Sequence, residues 1–522
     1  KEVVIMALEN LLTDVKALIE NRDADVDGGI YKPSIEVDRR NVYLIYREGR
    51  NKSLVVYEDA RAIKDFQADE CLKDDDYVLI KAPLNFYNNK ALAKRFAWIK
   101  PSSRHGHKYT LGLGDRLGNA SNAHLKLLKG KGIFPVLAQQ SIRELLLSNR
   151  TFTDVIESAS WSVFEEGYKD GWGADGDHVK NAYEIDYAVR AGATMITLDL
   201  TEKTHTEYLD FSDEDLDAEY NKLSEEIRHG FEQKYLNKKF DLGNGQTVEF
   251  TSRDLKESVL VFNEGVLFAE YVNETFVKPF ALDFEISVDE TPVSTTPAQH
   301  YFFGNELADA NVVPETLAPR FYGEFQKGID YIGDLARFEK EFSEHEAIAE
   351  KFGYKLSVHS GSDKLSAYPI IARLANHYGW HVKTAGTNWL EALRVVAHED
   401  PKFMLELYKF SYDNLDDVKA FYVFNAQTNG KAPKPENLTE SDVKMLLVDD
   451  DARQVLHTMY GSILGYTVDY KNVYRDRLFD ILETHTDEYD KFLNIHMAEH
   501  VDLLQGIEAT KEAVLDKYEP KN

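Results

Sequence analysis

Eight short β-rich runs follow one another along the middle of the chain, and most of them are followed by an amphipathic helical pattern. The runs are TLGLGDRLG (110–118), IFPVLAQQS (133–141), GWGADGDHVK (171–180), MITLDLTEK (195–203), ALDFEISVDE (281–290), RFYGEFQKG (320–328), KLSVHSGSDK (355–364) and WHVKTAGTN (380–388). Strands that alternate with helices form parallel βα units, and eight such units close into a barrel. The sequence therefore predicts an α/β fold, a TIM-type (β/α)8 barrel, with a doubly wound open sheet as the alternative.

The barrel pattern divides the 522-residue chain into three predicted parts. Residues 1–105 mix a helix with a β-hairpin that turns at residues 48–51, which indicates an N-terminal α/β cap. Residues 106–400 form the predicted catalytic barrel, with an acidic helical insertion at 206–256. Residues 401–522 contain only helical patterns, which predict a C-terminal helical extension packed on the barrel.

Composition and charge exclude several classes of function. The chain has 90 acidic against 61 basic residues, a formal net charge of −29, which repels phosphate backbones and excludes nucleic-acid partners. No apolar run approaches the ~18 residues of a membrane span, and the acid-containing N-terminus does not resemble a signal peptide. The single cysteine, Cys71, excludes an internal disulfide. We therefore expect a cytoplasmic protein without membrane partners; a homo-oligomer remains open.

Polar residues at the ends of the predicted strands point to a metal site. In a TIM-type barrel the active site lies at the carboxyl ends of the strands. His178, Glu285 and His359 come from the third, fifth and seventh runs, and alternate strands can converge on one point. Imidazole and carboxylate ligands suit one divalent metal, Zn, Mn, Ni, Fe or Co. A buried salt bridge is the alternative for Glu285, because an unpaired carboxylate would be costly in the apolar run DFEIS.

Two other motifs resemble known sites but do not fit their context. GLGDRLG (112–118) is close to a dinucleotide fingerprint, but its last glycine is displaced and no acidic strand end follows at the expected distance, so we expect no NAD. HMAEH (496–500) matches an inverted zinc-protease pattern on a helix. We interpret it as the polar face of a surface helix in the C-terminal extension.

Four strings in the barrel, GADGDHVK, FEISVDE, SVHSGSDKLSAYP and VKTAGTNWLEALR, resemble those of the tagaturonate/fructuronate epimerases. GADGDH and HSGSDK are the specific part of the resemblance, and the first places Asp175, Asp177 and His178 on the family's strand-three motif. These bacterial enzymes are metal-dependent sugar-acid epimerases, and some relatives act on the 4-position of tagatose and fructose. The resemblance implies a metal-dependent epimerase that interconverts tagaturonate and fructuronate.

The chemistry of this interconversion constrains the mechanism. The two substrates differ at a carbon that is β to both the ketone and the carboxylate, so neither group acidifies its C–H. Retro-aldol cleavage and re-addition through a metal-stabilised enediolate avoids this barrier, and hydride transfer would need a nicotinamide. Two acid–base groups are then required, and Asp177, beside His178, and Lys203 are the candidates.

Basic residues at neighbouring strand ends could hold the substrate carboxylate. Arg116, Lys364 and Lys383 stand at the first, seventh and eighth runs, which adjoin in a closed barrel. Gln140 and Ser360 complete the predicted contacts to a small ketouronate or ketose. A metal-dependent aldolase or ketose isomerase on the same fold is the alternative function, and a non-catalytic sugar-binding protein is a second one.

Overall fold

The computed structural model describes residues 2–49, 51–243, 245–384, 386–418, 424–426, 430–508 and 518. The strands are β1 (Glu36–Asp38), β2 (Asn41–Glu48), β3 (Asn51–Asp59), β4 (Glu70–Asp74), β5 (Tyr77–Ala82), β6 (Tyr109–Leu113), β7 (Phe134–Ser141), β8 (Gly173–Val179), β9 (Met195–Asp199), β10 (Lys239–Gly243), β11 (Gln246–Glu249), β12 (Asp283–Val288), β13 (Thr316–Pro319), β14 (Lys355–Val358), β15 (Trp380–Thr384), β16 (Thr467–Val468) and β17 (Lys471–Asn472).

Helices cover most of the rest of the described chain. They span Glu2–Glu20, Phe86–Arg95, Ser121–Leu128, Ile142–Ser148, Phe152–Glu165, Ala182–Ala191, Asp213–Tyr220, Glu225–Tyr235, Ser252–Val272, Lys278–Phe280, Pro297–Asp309, Leu335–Phe352, Tyr368–Ala375, Thr387–Glu399, Pro401–Asp413, Asp450–Thr458, Tyr460–Gly465, Arg475–Thr484 and Thr486–Leu504. Within the described ranges, each helix is too short or too polar to cross a lipid bilayer.

Eight parallel strands close into a barrel in the order β12-β13-β14-β15-β6-β7-β8-β9. Registers such as Glu285 opposite Thr316 and Trp380 opposite Tyr109 pair each strand with the next. Buried apolar residues from the strands and the surrounding helices form one continuous core, as parallel strands covered by helices require. The predicted TIM-type (β/α)8 barrel is confirmed.

The sixth predicted strand was misplaced by a few residues. The barrel strand is β13, and the run at 320–328 belongs to the loop that follows it. Its aromatic residues suggested a strand, but Phe321 and Phe325 instead pack against the helix Leu335–Phe352. Gly323 and Gly328 adopt positive φ angles of 90° and 77°, which turn the loop over the barrel end. We call residues 320–334 the β13 loop.

The segments outside the barrel combine helices with small antiparallel sheets. Strands β1–β5 form one sheet in the order β1-β2-β3-β5-β4, and the predicted hairpin at residues 48–51 joins β2 to β3. The insertion at 206–256 contains two helices but also the hairpin β10–β11. The described part of the C-terminal extension is helical apart from the short hairpin β16–β17.

Candidate active site

A cavity of about 1030 Å³ opens at the carboxyl ends of the barrel strands. Its wall includes Arg143, Asp177, His178, Asp289, Arg320, Lys327, His359, Ser360 and Lys383. These residues lie at the ends of β8 and β15 or after β7, β12, β13 and β14, so the cavity lies where a barrel of this type places its active site.

Two histidines and one carboxylate meet in this cavity. His178, Asp289 and His359 each offer one ligand atom, and these atoms all lie within 4.8 Å of one another. His178 adopts a positive φ of 53° near the end of β8, a conformation that is rare for a residue with a side chain and typical of functional sites. Imidazole nitrogen and carboxylate oxygen together suit a divalent transition metal.

A carboxylate orients each of the two imidazole rings. Asp177 Oδ1 lies 2.9 Å from His178 Nδ1, and Glu285 Oε1 lies 2.8 Å from His359 Nε2. Each carboxylate engages one ring nitrogen and leaves the other as the possible ligand atom, which is the arrangement of metal-binding histidines. His359 Nδ1 is buried, has no hydrogen-bond partner among the described residues, and lies 3.3 Å from Asp289 Oδ1. Burial by itself would lower the pKa of His359, but Asp289 and Glu285 outweigh it and raise this pKa to about 10, so a cation that binds Nδ1 would displace a proton.

Lys383 holds the orienting carboxylates from below. Its Nζ lies 2.9 Å from Asp175 Oδ2, 2.5 Å from Asp177 Oδ1 and 2.9 Å from Glu285 Oε1. Burial by itself would lower the pKa of Lys383, but the three carboxylates outweigh it and raise this pKa. Burial likewise opposes ionisation of Asp177, yet Lys383 and His178 hold its pKa below the usual value. Lys383 is thus a permanent cation, and Asp177 is an anion with little tendency to take up a proton.

Glu285 lies beside the histidine–carboxylate group rather than within it. Its Oε1 is shared by Lys383, His359 and Thr197, and its Oε2 accepts a hydrogen bond from Thr316. Both oxygens are thereby engaged in the buried network that was the alternative for this residue. The carboxylate that the structure brings to the two histidines is Asp289, which stands directly after β12.

Of the residues predicted to contact substrate, the structure brings Ser360 and Lys383 into the cavity and leaves Arg116 and Gln140 outside it. Arg116 Nη2 lies 2.6 Å from Glu144 Oε1, and its guanidinium lies over the ring of Tyr460. Gln140 points away from the barrel axis because side chains alternate along β7, and the neighbouring Gln139 is the one that lines the cavity. Both residues are buried, and their contacts within the fold explain why a polar side chain stands at each position.

Lys364 and Lys203 also lie outside the cavity wall. Lys364 Nζ is fully buried and donates to three backbone carbonyls, those of Gln326, Ile329 and Ser362. Lys203 points outward and pairs with Glu264 on the helix Ser252–Val272, at 2.8 Å. Neither ammonium therefore lines the cavity.

Four cations of the cavity wall, Arg143, Lys180, Arg320 and Lys327, were not among the sequence candidates. Arg143 follows β7, while Arg320 and Lys327 belong to the β13 loop. Lys327 Nζ donates to Ser360 Oγ at 2.9 Å. Burial lowers the pKa of Lys327, and the nearby Arg143 adds to this effect. Lys327 could have been found from the sequence, because it follows the sixth barrel strand as other residues of the cavity wall follow theirs.

The histidines of HMAEH are buried, which corrects the surface-face interpretation. His496 is 7% exposed and His500 is 1% exposed. The helix Thr486–Leu504 packs this face onto the barrel, where His500 Nε2 accepts the backbone N–H of Asp363 at 2.9 Å. Because His496 and His500 are four residues apart, they lie on the same side of the helix, and this side packs against the barrel.

Comparisons with known proteins agree with this geometry. A family model described as tagaturonate epimerase matches residues 31–504. The tagaturonate/fructuronate epimerase of Thermotoga maritima is 39% identical over 426 residues, which cover 81% of this chain and 86% of that protein.

Solved structures give the same result. The crystal structure of fructuronate-tagaturonate epimerase UxaE from Cohnella laeviribosi with one glycerol has a TM-score of 0.87 at 37% identity, covering 91% of this chain and 96% of that chain. The native structure of the same enzyme also has a TM-score of 0.87, at 36% identity, and covers 94% and 99% of the two chains. The chain therefore belongs to the tagaturonate epimerase family, whose members are isomerases of carbohydrate derivatives.

Proposed function

We propose that this protein interconverts tagaturonate and fructuronate. The observation that carries the proposal is the cavity in which His178, His359 and Asp289 meet and whose wall also includes Arg143, Arg320 and Lys327. The first three residues provide a site for a divalent cation, and the second three provide positive charge for a sugar acid. The names of the relatives from Thermotoga and Cohnella support the same substrates.

The residues present fit one divalent metal ion. His178, His359 and Asp289 would hold it, with Asp177 and Glu285 behind the two rings, and the buried His359 Nδ1, which lies 3.3 Å from Asp289 Oδ1, supports this placement. We propose Asp289 as the third ligand in the place first predicted for Glu285. A divalent ion bound there supplies a Lewis acid for the negative charge that develops on substrate oxygens.

A second group, His178 with Asp199 and Glu290, has similar spacing but fits less well. Asp199 Oδ1 accepts hydrogen bonds from Thr201, and its Oδ2 lies 3.4 Å from Lys180 Nζ. His178 has one ring nitrogen available, because Asp177 engages the other, so it can serve only one of the two groups. We therefore favour the group that contains both histidines.

For the reaction we propose retro-aldol cleavage and re-addition. The hydroxyl on the epimerised carbon loses its proton, the bond to the neighbouring α-carbon breaks, and the electron pair passes into the ketone. This yields a three-carbon aldehyde acid and a three-carbon enediolate. The aldehyde rotates to present its other face, the carbon–carbon bond reforms, and the new alkoxide regains the proton.

Lys327 is our candidate for proton transfer, in the role predicted for Lys203. It lies in the cavity, and burial lowers its pKa toward the range in which an amine can exchange protons. Asp177 is a weaker base than expected because Lys383 and His178 stabilise its anionic form. Its proposed role is to orient His178.

Two guanidinium groups of the cavity wall, on Arg143 and Arg320, are our candidates for holding the substrate carboxylate. Guanidinium forks match the planar geometry of a carboxylate. Arg320 is itself oriented, since its Nη1 donates to the carbonyl of Thr291 at the cavity edge. They replace Arg116 and Lys364 in this role, while Lys383 acts on the carboxylates beneath the site.

The direct test is to incubate the purified protein with tagaturonate and to follow the products by 13C NMR, before and after chelation of divalent metal. We expect fructuronate to accumulate, chelation to stop the reaction, and one metal equivalent to restore it. Accumulation of three-carbon fragments would instead indicate the aldolase alternative. Epimerisation of fructose faster than of tagaturonate would assign a neutral ketose.

A further inference from the structure

The loop after β14, residues 359–367, carries two adjacent charged residues, Asp363 and Lys364, that lie outside the cavity wall. We call it the β14 loop. Lys364 Nζ donates to the carbonyls of Gln326 at 2.8 Å and Ile329 at 2.7 Å, which flank Lys327 in the β13 loop. It also donates to Ser362 at 2.8 Å in its own loop. One buried ammonium therefore joins the two loops that carry Lys327 and His359.

Asp363 connects the same loop to the C-terminal extension. Its Oδ2 lies 2.9 Å from Arg453 Nη2, its Oδ1 lies 3.2 Å from His496 Nε2, and its N–H donates to His500 Nε2. Burial opposes ionisation of Asp363, but Arg453 and the two histidines outweigh it and lower its pKa to about 2. Asp363 is thus an anion held by two helices of the extension.

Arg453 reaches both loops with one guanidinium group. Its Nε donates to the carbonyl of Gly328 at 2.8 Å in the β13 loop, and its Nη2 bonds Asp363 in the β14 loop. Its Nη1 donates to the carbonyl of Leu447 at 2.9 Å, within the extension itself. Because the fork is planar and rigid, these three contacts fix the two loops relative to each other and to the helix Asp450–Thr458.

The same cluster satisfies the spacing of a metal site but not its chemistry. Ligand atoms of Asp363, His496 and His500 lie within 4.8 Å of one another. However, His500 Nε2 already accepts the N–H of Asp363, and its Nδ1 donates to the carbonyl of His496 at 2.9 Å. Arg453 holds a carboxylate oxygen of Asp363 and places a positive charge beside the group. The contacts describe an anchor for a loop rather than a cation site.

We propose that Arg453 and Asp363 are positioning residues, through which the C-terminal extension sets the contact between Lys327 and Ser360 across the cavity. That contact is a hydrogen bond of 2.9 Å from Lys327 Nζ to Ser360 Oγ. Lys327 adjoins Gly328, which Arg453 holds, and Ser360 lies in the loop that Asp363 anchors. The proposal rests on the function assigned above only in the use it gives to Lys327.

The experiment compares three variants of the full-length protein. Asp363→Asn removes the charge but keeps the size, and asparagine tolerates the positive φ of 60° at this position. Arg453→Lys keeps the charge but cannot make all three contacts at once. Asp490→Asn is the matched control, because Asp490 ties the helix Thr486–Leu504 to Lys126, at 2.7 Å, without touching either loop.

Two measurements are made on each variant, hydrogen–deuterium exchange of peptides from the two loops and the kcat and KM of epimerisation. We expect Asp363→Asn and Arg453→Lys to speed exchange in both loops at least about fivefold and to lower kcat roughly 10- to 100-fold, with a smaller change in KM. Asp490→Asn is expected to leave both loops and kcat within about twofold of the unmodified protein.

Unchanged exchange and kcat in Asp363→Asn would overturn the proposal, as would equal effects in Asp490→Asn, which would indicate general docking of the helix. The result for Arg453→Lys counts only if circular dichroism shows that this variant is folded. If it is not, Asp363→Asn alone tests the proposal. If the unmodified protein does not epimerise ketouronates while exchange still rises in both loops, the assigned function fails and the anchoring of the loops stands.

Discussion

His359 Nε2 lies 2.8 Å from Glu285 Oε1, so the ring turns its Nδ1 toward Asp289. From the sequence, Glu285 is a candidate both for a metal ligand and for part of a buried salt bridge, and the structure divides these two roles between two carboxylates. Glu285 orients the imidazole from behind, and Asp289 shares the space that a metal would occupy. The distinction has direct experimental consequences.

Substituting the two carboxylates should give different results. Asp289→Ala should abolish binding of the divalent metal, because a ligand is lost. Glu285→Gln should retain the metal with an affinity reduced by about 10- to 100-fold, the usual effect of losing a partner behind a ligand. Elemental analysis and competition with a chelator measure both, and Asp199→Asn is the control. Metal retained by Asp289→Ala and lost from Glu285→Gln would restore the ligand set first predicted.

The two lysines proposed for proton transfer can be tested in parallel. Lys327→Met should lower kcat by about 10²- to 10⁴-fold, the usual contribution of a general acid–base group. Lys203→Met removes an exposed ion pair with Glu264 and should change kcat little. Steady-state kinetics of both variants on tagaturonate give the comparison. A Lys203 variant that lost activity while the Lys327 variant kept it would return the role to Lys203.

A buried glutamate on an outer helix should make stability depend on pH. Burial, with a contribution from Glu350, raises the pKa of Glu346 from its ordinary value of 4.5 to about 8. The folded protein therefore favours the protonated form of Glu346 more than the unfolded chain does. The stability of the fold is not reduced by this side chain below pH 4.5, and it falls as the pH rises toward 8, because ionising the buried carboxyl costs free energy. Glu346→Gln should therefore stabilise the protein by roughly 4 to 5 kcal/mol at pH 8.5 and by little at pH 4.5. Denaturant unfolding at the two pH values measures this; equal gains at both would contradict the assignment.

The fate of hydrogen at the epimerised carbon tests the reaction itself. In retro-aldol cleavage this carbon becomes an aldehyde, whose hydrogen does not exchange with solvent. Turnover in deuterated water should therefore leave that hydrogen in place, as proton NMR of the product can show. A 13C isotope effect at the bond to the α-carbon should accompany it, which hydride transfer would lack. Deuterium at the epimerised carbon would rule out the retro-aldol route and require a base that acts on carbon.

The repeat of strands and helices was sufficient to predict the barrel, because hydrophobic periodicity reports burial directly. It misplaced the sixth strand because aromatic residues of the β13 loop are buried for another reason, packing against a helix. The same argument predicted that His178 and His359 would meet, since both stand at strand ends.

The pattern of strands and helices in the sequence does not predict the direction in which the side chains at the barrel end point. Arg116 and Lys364 also follow barrel strands, yet one pairs with Glu144 and the other binds loop carbonyls. Which way a residue turns after its strand depends on loop paths and on partners distant in sequence. For the same reason Arg453, 90 residues from Asp363, could not be connected with the site from the sequence.

The ammonium of Lys383 affects the stability of the site when no metal is bound. Three buried carboxylates would repel one another in an empty site, and the bound ion would then be needed to keep the barrel end closed. Here a covalently attached cation neutralises part of that charge at all times. Asp177 and Glu285 stay ionised and in place, so the two histidine rings they contact keep their orientation with or without an ion. If a metal binds here as proposed, its loss should therefore not unfold this end of the barrel.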